Sequence, residues 1–207
     1  MNIIEINDKI SYIECSENPL SADIGIVKVG SETWLFDVGN DVRNLNGLEE
    51  FGGMDGQYHI VLSHFHLDHV GSLDKLGAQT LYVSKETKKH VSSTNADVIL
   101  VEEDLYIGNL HIFPLRSSHA KGCLALEVDE QYCFVGDSLY GREKGGHYGY
   151  NAQLLKEGID KLKSIKSPYL LLSHRPGMIQ KKDGVIAWLE SIYAKRIQGN
   201  PEIWVER

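Results

Sequence analysis

Several features that mark other protein classes are missing from this chain. No apolar run is long enough to span a bilayer, which excludes a helical membrane protein. Basic residues are the minority: 21 Lys and Arg against 29 Asp and Glu give a formal net charge of −8. A chain so charged lacks the positive footprint that nucleic acid or an anionic membrane selects. Cysteine is scarce. Cys15, Cys123 and Cys133 form an odd set without CxxC spacing, which argues for a reducing compartment, and each is expected to be a small buried apolar residue. The first fifteen residues carry Glu5, Asp8 and Glu14 with no sustained apolar run, so no signal peptide is expected and the setting is expected to be cytoplasmic. No linker, low-complexity run or charge block divides the 207 residues. They are expected to form one domain, 1–207.

What is present is a mixed pattern of strands and helices. Apolar residues make up 42% and charged residues 24%, a balance that supports a substantial core. "IIEINDKISYIEC" and "IGIVKVGSETWLFDVG" read as hairpins, and "YHIVLS" as a short apolar strand. Residues 68–77 read as one or two helical turns ended by Gly77, followed by the strand "QTLYVS" and a helix over 85–93 capped by Ser84. Strands are expected across 98–101, 104–117, 123–129 and 131–137. Asn151 is expected to cap a helix over 152–165 whose Leu154, Leu155, Ile159, Leu162 and Ile165 share one face. After the strand "PYLLLS", Asp183 is expected to cap a last helix with Val185, Trp188, Leu189, Ile192 and Arg196 along a stripe. A faint echo links "IVLSH" at 60–64 with "LLLSH" at 170–174. Read as two related halves, the order fits an α+β fold of four layers, αββα.

The stretch "LSHFHLDHVG" concentrates His64, His66, Asp68 and His69 at the end of a strand. Neutral imidazoles gain little from one another and protonated ones repel, so the cluster makes physical sense around a cation. Further along, His119, Asp137 and His174 also stand where strands give way to loops, the positions at which rigid sites are built. His64 and His66 can point one way while Asp68 and His69, starting a helix, face another. One segment then serves two positions spaced as in bimetallic sites, about 3.5–4 Å apart.

With His64-x-His66-x-Asp68-His69 followed in order by His119, Asp137 and His174, and with an early Asp-x-Gly turn at Asp37 and Gly39, the chain resembles the metallo-β-lactamase superfamily. The resemblance implies its αββα fold and two divalent metal ions, with zinc favoured and iron or manganese also compatible with ligands that include no thiolate. His64, His66 and His119 would hold the first ion, Asp68, His69 and His174 the second, and Asp137 would bridge them. It implies an enzyme, a metallohydrolase in which a metal-bridging hydroxide attacks a small ester, lactone or thioester, with a phosphodiester as a neighbouring substrate class. Asp68 would orient that hydroxide and shuttle its proton. Antibiotic hydrolysis is disfavoured, because Asp137 stands where many zinc β-lactamases carry cysteine and no export signal is expected. The ligand set is closest to hydroxyacylglutathione hydrolases, whose stretch after the bridging aspartate is similar to "GDSLYGREKGG". With only a short segment after His174, their glutathione-binding domain is not expected.

Two readings compete with hydrolysis. One is an iron-dependent oxidoreductase similar to persulfide dioxygenases, which the full seven-ligand set argues against. The other is a metal-binding protein without turnover. The partner expected is a small-molecule substrate, with no membrane and no nucleic acid. In the glycine-rich stretch 141–150, Arg142, Lys144, His147 and Tyr148 are candidates to meet that substrate, and a solvated loop is the alternative. Asp37 is expected to be a turn or supporting group, not a ligand. Ser63 and Ser173 are expected to bond to backbone, and His59, His90 and His111 to be surface or strand-edge residues.

Overall fold

The computed structural model describes residues 3–91 and 95–206 and separates into two compact units, Met1–Glu102 and Glu103–Arg207. The first contains β1 (Ile3–Glu5), β2 (Ile10–Ile13), β3 (Ser16–Glu17), β4 (Leu20–Ser21), β5 (Ile24–Val29), β6 (Glu32–Phe36), β7 (Tyr58–Val61), β8 (Ala78–Val83) and β9 (Asp97–Leu100). All but the small β3–β4 hairpin join one seven-stranded sheet in the order β1-β2-β5-β6-β7-β8-β9. Its first half is antiparallel, whereas β6, β7, β8 and β9 run parallel. The short helices are α1 (Val42–Leu45), α2 (Leu67–Val70) and α3 (Lys85–Lys88). On one sheet face Ile13, Ile24, Ile26, Leu35, Ile60, Leu81 and Val83 pack with Leu45, Leu48, Leu73 and Leu76 from the helical connections. Burying each such side chain stabilises the unit by about 1.5–3 kcal/mol. The expected turns at 68–77 are found as α2 and a 3-10 turn at Leu73–Lys75. Ser84 caps α3 by accepting from the Thr87 backbone N–H; of the helix expected over 85–93, residues 92 and 93 lie outside the described residues.

The second unit contains β10 (Leu105–Ile107), β11 (Leu110–Pro114), β12 (Leu124–Val128), β13 (Tyr132–Gly136), β14 (Arg142–Lys144), β15 (His147–Asn151), β16 (Tyr169–Leu172), β17 (Ile179–Lys181) and β18 (Glu202–Glu206). A six-stranded sheet runs β10-β11-β12-β13-β16-β17, with β13 and β16 parallel. Two longer helices, α4 (Ala152–Ser164) and α5 (Lys182–Tyr193), cover one face. There Leu155, Ile159, Leu162, Val185, Leu189 and Ile192 meet Phe113, Val135, Leu170 and Leu172. Asn151 caps α4 as expected, its side-chain oxygen accepting from the Gln153 and Leu154 N–H groups. Each unit is thus a sheet with helices against one face, the two-layer half that an αββα arrangement requires twice. Among the described residues no helix is long and apolar enough to cross a membrane.

Some local expectations are corrected. Helix α5 starts at Lys182, not after an Asp183 cap, because Lys182 is held from both ends: its N–H donates to Pro168 and its ammonium to the Ile165 carbonyl. Asp183 falls in the first turn, where its charge suits the helix dipole, and Arg196 lies past the helix end. The glycine-rich stretch 141–150 is no loose loop. It forms the β14–β15 hairpin, turning at Gly145 and Gly146 with positive φ, and pairs with β18, a strand the reading did not foresee. Gly149 matters here, because a Cβ would come within 2.7 Å of the Trp204 ring that lies across it. Cys15 is exposed, while Cys123 and Cys133 are buried as expected. Cys15 lies just before the β3–β4 hairpin, past the end of β2 and outside the sheet that buries Ile13. His59 and His111 are buried, not peripheral. His59 stacks on Trp34, and His111 lies between Tyr106 and Phe113 with the Glu127 and Asp104 carboxylates at its two nitrogens.

Candidate metal centre

In the first unit the site grows out of two adjacent parallel strands. Phe36, the last residue of β6, is paired with Val61, the last of β7, so both chains leave the sheet at the same carboxyl edge. Such edges are where α/β folds bind ligands. The chain from β6 turns through Asp37 and Gly39 in left-handed conformations (φ 60° and 64°). A Cβ on Gly39 would meet the Ser21 hydroxyl at 2.5 Å. The turn drives the Asp37 carboxylate beneath the chain leaving β7, where it is fully buried. It accepts from the Ser63 N–H, the Ser63 hydroxyl and His69 Nδ1, each at 2.7 Å.

This network fixes which nitrogen of each imidazole can bind a cation. Asp37 only accepts, so His69 carries a proton on Nδ1, and as a neutral imidazole it has its lone pair on Nε2. The Ser63 hydroxyl spends its single proton on Asp37, so it must accept from His64 Nδ1 at 2.9 Å, leaving His64 Nε2 also unprotonated. Carboxylate or hydroxyl support of the far nitrogen is what metal-bound histidines use to set tautomer and direction. The rings crowd together, with His64 centroids 4.5 Å from His66 and 4.1 Å from His69. Donor atoms of His64 and His66 approach within 4.8 Å, as do those of Asp68 and His69. Helix α2 supplies Asp68 and His69, and the Asp68 carbonyl accepts from the Ala22 N–H (2.8 Å), anchoring the helix to the β4 hairpin. Phe65 stacks on the half-exposed His90 at 4.4 Å, holding the outer side of the loop.

The second unit repeats the plan. Strands β13 and β16 are parallel, Gly136 pairs with Leu172, and the chains leave the sheet at Asp137 and at Ser173-His174. Asp137 is buried, its Oδ2 3.4 Å from His119 Nε2 and 3.7 Å from His174 Nε2. His174 has a left-handed backbone (φ 59°). His119 is presented by the turn after β11, where its N–H donates to the Ser117 hydroxyl. Tyr140, three residues past Asp137, donates its hydroxyl to the Ser173 carbonyl at 2.6 Å and ties the segments that carry Asp137 and His174 together.

His, Asp and supporting Ser groups with no thiolate suit zinc, iron or manganese, and the assigned tautomers leave His64 and His69 correctly protonated to bind a cation. The first unit thus gathers His64, His66, Asp68 and His69, and the second His119, Asp137 and His174. Asp37 proves to be a supporting group, as expected. Ser63 differs from the reading, since its hydroxyl bonds to side chains and not to backbone; its place directly after a strand and before His64, opposite Asp37, was the available signal. Tyr140 was not singled out. Of the candidates toward substrate, Arg142 bonds Glu202 at 2.8 Å and lies over Trp204. Lys144 and His147 are exposed at the hairpin tip, with His147 Nδ1 3.0 Å from the Gly145 carbonyl, and Tyr148 is half-buried against the core.

No protein-family model matches the chain. The atrochrysone carboxyl ACP thioesterase dmxR1 of Cryptosporiopsis sp. (strain 8999) is 30% identical to it over 125 residues, 56% of this chain. The chain spans only 38% of that relative's length. Among solved structures, the DIM-1 metallo-β-lactamase superposes with a TM-score of 0.70 at 13% identity, over 93% of this chain and 96% of its own. The flavodiiron protein from Giardia intestinalis gives 0.71 at 12%, over 94% of this chain and 60% of that one. Identities so low speak for architecture and not for chemistry. On that architecture they agree with the motif and the strand edges: this chain has the metallo-β-lactamase fold.

Proposed function

We propose that the protein is a metal-dependent hydrolase of a small ester, lactone or thioester, acting as one domain in the cytoplasm. Two divalent ions, with zinc the first choice, would be held by His64, His66 and His119 and by Asp68, His69, Asp137 and His174. The observation that carries this reading is the Asp37–Ser63 network, which sets His64 and His69 in ligand tautomers at a cost in buried polar groups that a fold without a metal has no reason to bear. The thioesterase relative gives thioesters some precedence among the substrates. Bound divalent ions would supply Lewis acidity toward the substrate oxygen and an activated water.

The chain's own residues then have separate tasks. Asp37 and Ser63 hold imidazole protons at Nδ1. Asp68, whose Oδ2 lies 3.6 Å from His69 Nε2 and whose carboxylate is partly open to solvent, would take a proton and return it to a leaving group. Asp137 offsets charge beside His119 and His174. No covalent acyl intermediate is part of the scheme, because the Ser63 hydroxyl is fully buried and committed to Asp37 and His64, and Ser173 is buried as well, so neither is open to a substrate.

The test is metal analysis with hydrolysis assays on wild type and His119→Ala. About two ions per wild-type chain, loss of metal and of thioester or ester cleavage in the variant, and an unchanged fold by circular dichroism are expected. A variant with full metal content and full activity would sink the assignment. One tightly bound iron, with oxygen uptake on a thiol persulfide, would move the reading to an oxidoreductase.

A further inference from the structure

The residue after His174 is Arg175, exposed and in an unusual state for so acidic a chain. Its guanidinium lies over the Tyr140 ring at 5.9 Å and the Trp188 ring at 5.6 Å. The other arginines of the described residues meet an oxygen: Arg43 bonds Asp41, Arg142 bonds Glu202, Arg116 lies 3.7 Å from Glu157, and Arg196 donates to the Tyr193 carbonyl. Among the described residues Arg175 meets no carboxylate or carbonyl in this way. The two rings flank the guanidinium, and its N–H donors are not taken by a carboxylate or carbonyl of the described residues, which leaves the fork able to give a carboxylate or phosphate two parallel hydrogen bonds. The platform is itself tied to the candidate centre, since Tyr140 follows Asp137 and bonds the Ser173 carbonyl just before His174. Tyr150 lies close enough for the Arg175 charge to pull its hydroxyl pKa downward, although burial dominates and leaves that pKa raised.

We infer that Arg175 is a specificity residue that recognises an oxyanion, carboxylate or phosphate, on the substrate, one residue from a metal ligand. The inference rests on the proposed hydrolase reading for its substrate and deepens it: the favoured acyl compound carries a negative group. Tyr140 and Trp188 are positioning residues in this scheme, because they act through the guanidinium.

The experiment compares the S-succinyl and S-butyryl thioesters of N-acetylcysteamine, which differ in a terminal carboxylate, on metal-loaded wild type, Arg175→Ala and Arg175→Lys. Losing a charge-assisted hydrogen-bond pair should lower the succinyl-to-butyryl ratio of kcat/KM by about tenfold in Arg175→Ala, chiefly through KM. Arg175→Lys should recover part of it, since the charge remains while the fork is lost. In parallel, the Arg175 Nε–H signal, assigned by its loss in Arg175→Ala, should move on titration with succinate or with inorganic phosphate, and the larger response names the preferred oxyanion. A ratio unaltered by Arg175→Ala, with a resonance indifferent to both anions, overturns the inference. If neither thioester is cleaved, the hydrolase reading fails on its own, and the resonance still decides whether Arg175 binds an oxyanion.

Discussion

Replacing Asp37 with Asn should weaken metal binding while sparing the fold. The carboxylate meets three donors at 2.7 Å in a fully buried position. Alanine would orphan all three, at about 1–3 kcal/mol each. That approaches the whole stability of a domain, about 5–15 kcal/mol, so unfolding would hide any effect on metal. Asparagine keeps the shape, and it tolerates the left-handed backbone at this position. Its carbonyl can still accept from the Ser63 N–H, but its amide presents N–H groups where Oδ2 accepted. His69 Nδ1 must then accept, and the imidazole proton moves to Nε2, the nitrogen needed for the metal.

Loss of such a supporting group costs about 10–100-fold in metal affinity, or about 1.4–2.7 kcal/mol. Thermal stability without metal should fall by only a few degrees, because about one hydrogen bond is lost and about 1 kcal/mol shifts a chain of this size by about 2–4 °C. Competition against a chromogenic zinc chelator, run beside thermal melts of the metal-free proteins, measures both quantities. Wild-type affinity for two ions in Asp37→Asn would refute the tautomer argument. A melt that collapses before metal is added would show Asp37 to be structural only.

Other outcomes follow from the same structure. Ser63→Ala should lower metal affinity less than Asp37→Asn, by up to about tenfold, since it removes the acceptor of His64 Nδ1 and one donor to Asp37 but leaves the Asp37 bond to His69 Nδ1 in place; the same chelator titration checks it. Gly71→Ala should destabilise the first unit and release metal together, because a Cβ there would lie 2.1 Å from the Asn40 side chain and 2.7 Å from the Leu67 carbonyl of helix α2; a melt unchanged within 1 °C or so would count against it. Acid should unfold the second unit partly through Glu127. Burial pushes its pKa up, but hydrogen bonds from His111 and from the Ser167 hydroxyl and N–H outweigh this and hold it below the ordinary value. A depressed carboxylate stabilises above its unfolded pKa and loses that contribution as pH falls through the folded one. Glu127→Gln should therefore flatten the acid limb of a stability-versus-pH curve below about pH 4.5, and an unchanged limb would contradict the assignment.

How far the sequence could be read differs by element. The clustering of these histidines and aspartates was legible because the residue types and spacing suit a cation, and because each lies near where a short apolar strand stops. Helix α4 was legible from Asn151 and its apolar spacing, which the buried face confirms. Strand β18 was not, since "EIWVE" follows a polar turn and leaves its Trp204 exposed across Gly149; such edge pairing depends on a partner far away in sequence. His111 looked peripheral because alternation along β11 could not reveal that Glu127, Asp104 and Tyr106 would gather around it. Asp183 looked like a cap because local propensity knows nothing of the Lys182 side chain reaching Ile165.

The Leu-Ser-His echo has a structural meaning that its five residues could not carry alone. In each unit, two neighbouring parallel strands end side by side; one is followed by Asp, at 37 or 137, and the other by Ser-His, at 63–64 or 173–174. The halves have then diverged in the use of the aspartate. Asp37 is drawn under the chain by a left-handed turn and bonds the following Ser63, so it supports histidines. Asp137 instead turns toward His119 and His174, and the buried Ser173 hydroxyl has no hydrogen-bond partner among the described residues. Left-handed strain sits on the Asp in the first unit and on the His in the second. After the strand that precedes the aspartate, the left-handed residue is Asp37 itself in the first unit and Gly136, one position before Asp137, in the second, and that shift accompanies a carboxylate that supports a tautomer in one case and one that faces two histidines in the other. Replacing Val38 by Gly, which relaxes the turn after Asp37, should loosen the Asp37–His69 bond and raise hydrogen exchange at the Ser63 amide. An exchange rate at Ser63 equal to wild type would show that packing, and not the turn, holds Asp37 in its supporting role.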